Sequence, residues 1–168
     1  AIGRAALITS DYSLQSAGEK CVDAKCTTGY GHGLALAWGE YTKKISISDS
    51  DIEKNADSLM YFIANFCDRC YHHLGHYYGS ISDTPEKNLD LCDKIKNNND
   101  YSTCVEGITH QHFQDRVPGI EDFFAKCQNH AITRKQEACY GYGSYFFARW
   151  SAWDTGIQGA LNTCRELN

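Results

Sequence analysis

The chain has 168 residues, 22% of them charged and 42% hydrophobic, with a net charge of −5. That length suits one domain able to bury its own core. The negative balance, with no basic cluster longer than Lys43-Lys44 or Arg134-Lys135, argues against a nucleic-acid binder. The opening AIGRAALITSDYS lacks the charged-then-apolar pattern of a signal peptide and reads as a mature or trimmed N-terminus. Further on, SDIEKNADSLMYFIANF (50–66) carries Ile52, Ala56, Leu59, Met60, Ile63 and Phe66, an apolar stripe at helical period. Thr84-Pro85-Glu86 reads as a helix start, with Thr as cap and Pro in the first position. KNNND (96–100) reads as a polar loop, and Pro118-Gly119 breaks the chain. No segment alternates as a strand would. No apolar run approaches the roughly 20 residues that span a bilayer, so no transmembrane segment is expected.

Nine cysteines in 168 residues are many for a reducing compartment. Disulfides and thiolate metal sites both fit such a count, and spacing separates them. A structural zinc site needs paired knuckles, and only Cys67-Asp-Arg-Cys70 has that form. A disulfide framework in a periplasmic or extracellular protein is therefore the expectation. The motif is followed by Tyr71 and not by the His of a c-type haem site.

The chain repeats itself. CTTGYGH (26–32), CYHHLGH (70–76), CVEGITH (104–110) and CYGYGSY (139–145) align on their cysteines, at intervals of 44, 34 and 35 residues. Such periods are typical of helix–turn–helix repeats. A second set, Cys21, Cys67, Cys92 and Cys127, precedes the first, and Cys164 is left over. The expectation is an all-α chain: an α-solenoid or partial α/α toroid of about four helical hairpins. The units fall near 1–45, 46–83, 84–117 and 118–153, with a half unit at 154–168, in a single domain. Each leading cysteine lies near the end of one helix and its partner near the start of the next. The pairs are Cys21–Cys26, Cys67–Cys70, Cys92–Cys104 and Cys127–Cys139. Each short loop stabilises by about 2–3 kcal/mol. Closing Cys67–Cys70 requires a sharp backbone turn.

In each second helix the third, sixth and tenth residues after the cysteine share one face. The sixth position holds His32, His76, His110 and Tyr145. In a curved stack these positions face a common, concave side. His32, His76 and His110, with His73 one turn away, are thus the candidate ligands of a zinc or copper ion. Such an ion would leave a position for an activated water. Tyr142, Tyr145, Gln114 and Arg149 would line the wall, with Arg149 suited to an anionic group. Glu106 and Asp115 are candidate orienting partners for the imidazoles. His72 and His112 fall off the aligned face and are expected to be exposed or capping, and His130 lies in a loop. The bland reading is a repeated packing solution, each imidazole bonding a neighbouring carbonyl or tyrosine while repeated glycines let helices approach. The tyrosines Tyr71, Tyr77, Tyr78, Tyr140, Tyr142 and Tyr145 are expected mainly in the core.

At CYHHLGH and CVEGITH the chain resembles bacterial exported proteins with repeated CYxGxGH and CxxG units. The resemblance covers roughly residues 60–168 and implies an all-helical exported repeat protein, with no activity attached. GYGHGLALAWG (29–39) also looks like an inner helix of the lanthionine-cyclase α/α toroid, though that family's Trp-Cys-His-Gly and Cys-His-Gly zinc motifs are missing. That likeness is one of architecture.

Two functions follow. One is an exported metal-binding repeat protein, extending to a metal-dependent enzyme. The other is a structural or interaction module whose histidines line a peptide, glycan or subunit surface. The open end of the stack and Cys164 point to a homo-oligomer or larger assembly.

Overall fold

A computed structural model describes residues 2–20, 28–64, 67, 69–82 and 85–115, with the side chains of 28, 85, 86 and 112–115 left aside. Ala1–Gln111 form one compact unit and His112–Asn168 another. The protein is all-α, with no strand among the described residues. Its helices are α1 (Ile2–Ile8), α2 (Leu14–Glu19), α3 (Thr28–Ile45), α4 (Asp49–Ile63), α5 (Cys70–Ile81), α6 (Pro85–Cys92) and α7 (Asn98–Asp115).

Local chemistry starts and stops these helices. Ser13 caps α2 through the Ser16 amide at 3.2 Å, and Ser48 caps α4 through the Asp51 amide at 3.3 Å. Pro85 opens α6 as its sequence position predicts. KNNND is not all loop. Asn97 accepts from the amides of Asn99 and Asp100 at 2.9 and 3.2 Å, so the polar run is itself a helix cap, and α7 begins at Asn98. Between α3 and α4, Ser46 sits at φ 50°, a left-handed conformation that costs a residue with a Cβ. Ser46 is exposed. Ser46→Gly is expected to stabilise the protein by about 0.5–1 kcal/mol, read as a higher urea midpoint.

The hairpins expected at 46–83 and 84–117 are α4–α5 and α6–α7. The first unit differs, since α1 precedes its α2–α3 pair. α1, α3, α5 and α7 pack in succession. α2 packs on α1 and α4, α4 on α3 and α5, and α6 on α5. The α4 stripe is buried at Ile52, Ala56, Leu59 and Ile63; Met60 is half-buried, and Phe66 lies outside the described residues. Tyr77 is fully buried, and its hydroxyl donates to the Ile52 carbonyl at 3.2 Å. Tyr78 is also core, whereas Tyr71 is half-buried. Tyr140, Tyr142 and Tyr145 lie outside the described residues.

Glycines set the spacing of the row. A Cβ on Gly75 would overlap the Cys104 carbonyl oxygen and stand 2.8 Å from Gly107 Cα. A Cβ on Gly39 would come 2.6 Å from both the Ser80 Cβ and the Tyr77 carbonyl oxygen. Backbone therefore meets backbone across α3–α5 and α5–α7, which brings short polar side chains of different helices within reach.

Two of the expected disulfides are present. Cys92 at the end of α6 is joined to Cys104 in α7, and Cys67 to Cys70 at the start of α5, with a Cα–Cα distance of 5.1 Å in the second. Cys104 lies in the second turn of α7 and not at its start, because the Asn97 cap begins that helix earlier. Cys21–Cys26, Cys127–Cys139 and Cys164 fall outside the described residues. No described helix is long and apolar enough to cross a membrane.

Candidate metal centre

Five imidazoles from three helices meet in one cluster: His32 on α3, His72, His73 and His76 on α5, and His110 on α7. His76 is at the middle. Its ring centroid is 3.7 Å from that of His32, 4.7 Å from His72 and 4.9 Å from His110. His32 and His110, from the first and third repeats, are 5.5 Å apart. The glycine-set helix spacing is therefore small enough for imidazoles of separate hairpins to touch.

His72 corrects the sequence reading. It is 8% exposed and part of the cluster, where an exposed or capping residue was expected. The reason is helical. At about 100° per residue, His72 and His73 flank His76 by about 40° and 60° on opposite sides, so the buried face is wider than the aligned positions. The signal was in the sequence as an i, i+4 histidine pair, which places two imidazoles one above the other.

His32, His72 and His76 are the compact set: one nitrogen from each lies within 4.8 Å of the other two. His76 Nε2 and His72 Nε2 are 3.1 Å apart. Two nitrogens bound at tetrahedral Zn–N lengths stand about 3.3 Å apart, so this pair already has the required bite. Of the residues expected as ligands, His32 and His76 belong to the triad, while His73 and His110 stand around it. Gln114 lies on α7 with its side chain outside the described set, as does that of Asp115 and of His112. His130, Tyr142, Tyr145 and Arg149 also lie outside it. Glu106 is present beside the cluster. Its Oε2 is 3.8 Å from His72 Nδ1, and its two oxygens engage the Arg69 guanidinium. Gln111 Oε1 is 3.3 Å from His76 Nδ1.

Burial holds these imidazoles neutral. Desolvation first, then the neighbouring rings of His110 and His73, lower His32 to about 4. Desolvation, His110 and the Arg69 cation lower His72 to about 3. His76 is held well below the ordinary value by desolvation and by His32, His72 and His110. A neutral imidazole has a lone pair to give, so at pH 7 an ion need not displace a second, charging proton from these rings.

The same shifts make the metal-free fold acid-sensitive. Unfolded histidines take up protons below 6.5, while the folded ones refuse them until about 4 for His32 and about 3 for His72. The unfolded state then binds more protons, so stability is complete above 6.5 and falls as pH drops, by about 1.4 kcal/mol per unit for each fully affected group. The urea midpoint of metal-free protein is expected to fall between pH 7.5 and pH 5. An unchanged midpoint would contradict buried neutral rings.

No family model, curated protein or solved structure matches the chain.

Proposed function

We propose that this protein binds a single zinc or copper ion through His32, His72 and His76 and that it works outside the reducing cytosol. One observation carries the reading: three ligand nitrogens on neutral, largely buried imidazoles lie within 4.8 Å of one another. Unpaired, such a cluster is costly to build. Each ring gives up solvent, and once one gains a proton its charge opposes protonation of the others. A borderline-soft divalent ion converts that arrangement into bonds. Three imidazoles leave one position of a tetrahedral ion for water or substrate, which is the form of catalytic rather than closed structural sites. The two disulfides among the described residues support an oxidising compartment.

A second reading has its own observation. Both nitrogens of His76 have partners within the protein, Gln111 and His72, so the rings would also serve as polar packing in an interaction module. Elemental analysis of protein purified without chelators separates the two. One equivalent of zinc or copper, removed by chelator and restored on addition, is expected. Protein that neither carries nor takes up metal would leave the packing role.

A further inference from the structure

Hydrogen-bond polarity around the triad carries an argument beyond ligand identity, and it rests on the metal reading above. His72 and His76 face each other through Nε2 atoms 3.1 Å apart. One proton lies between them, because two N–H groups would collide and two lone pairs would repel. Gln111 decides whose proton it is. Its Oε1 is an acceptor, so His76 donates to it from Nδ1 and, as a neutral ring, accepts at Nε2. His72 must then donate from Nε2. That leaves its buried Nδ1, which makes no hydrogen bond, as a lone pair turned toward the Glu106 carboxylate 3.8 Å away. An acceptor faces an acceptor. Glu106 is held in place, since its side chain is 12% exposed and Arg69 binds both its oxygens.

We propose that ion binding moves the His72 proton from Nε2 to Nδ1, where Glu106 accepts it, so that Glu106 is a positioning residue for the metal. The step balances. Nε2 releases its proton to solvent and directs its lone pair to the ion. Nδ1 takes a proton from solvent, and the ring stays neutral with no change of oxidation state. Glu106 then holds His72 as Gln111 already holds His76, both with Nε2 inward. Carboxylate partners of this kind fix ring orientation and raise ligand basicity.

Long-range 1H–15N spectra of metal-free and zinc-loaded protein read the tautomer directly. His72 is expected as Nε2–H without zinc and Nδ1–H with it. Chelator competition reads the affinity. The amide of Glu106→Gln donates to Nδ1 and favours the metal-free tautomer, so zinc should bind about 10–100-fold more weakly, with Glu106→Asp in between. A His72 tautomer that is the same in both states, or a Glu106→Gln affinity equal to wild type, overturns the inference while zinc binding itself stands. Wild-type protein that takes up no zinc removes the metal reading and this inference with it. The spectra need only wild-type protein, so a variant that fails to fold does not spoil the test.

Discussion

His76→Ala should yield a protein with no stoichiometric metal. His76 is fully buried at the middle of the cluster and is the ring closest to His32. Its loss leaves His32 and His72 to hold an ion alone, with the Gln111 bond and the His72 bond removed as well. A thermodynamic signature distinguishes ligation from packing. A ligand that binds only the folded state at 1,000 times its dissociation constant stabilises by about 4 kcal/mol. Wild-type protein should show a zinc-dependent rise in melting temperature, and His76→Ala none. Without metal the variant should still be weaker by about 1–3 kcal/mol, the cost of breaking a buried polar contact. Were the zinc-dependent rise to survive in His76→Ala, the triad would not be the site.

Gly39→Ala tests how the site depends on the fold. Gly39 lies seven residues, almost two turns, after His32 and so on the same face of α3. The Cβ it lacks would come 2.6 Å from the Ser80 Cβ and from the Tyr77 carbonyl oxygen. Neither can swing aside as a long side chain would. α3 must move off α5, at about 1–3 kcal/mol for overpacking. Because His32 is the triad's only member on α3, the same movement draws it from His72 and His76. Stability and zinc affinity should fall together. Loss of stability with full zinc affinity would mean that helix spacing does not set the ligand geometry.

These outcomes bear on how far the residues alone reveal the molecule. The all-α class was readable because its signals are local: the period-3.6 stripe on α4, Pro85 at the start of α6, and paired cysteines that close short loops. Cys67–Cys70 and Cys92–Cys104 formed as spacing indicated. Repeat alignment also brought His32, His76 and His110 to one place, because equivalent positions on successive helices face the same neighbours. What escaped was the width of the buried face. His72 lies off the aligned positions, although helical geometry puts it nearer in angle to His76 than His73 is. The early start of α7 was hidden because asparagines serve equally in loops and caps. α1 gave no repeat signal, since it has no counterpart in the two later hairpins among the described residues. It packs through Gly3, where a Cβ would stand 2.8 Å from the Leu34 nitrogen.

The described cysteines, Cys67, Cys70, Cys92 and Cys104, are joined in two disulfides, and the triad is built wholly of nitrogen donors. Oxidants that convert thiolate ligands to sulfenates find none in the triad to attack. Acidity is the lever that remains. An ion held on the proposed triad should therefore withstand peroxide and be lost as acid unfolds the protein.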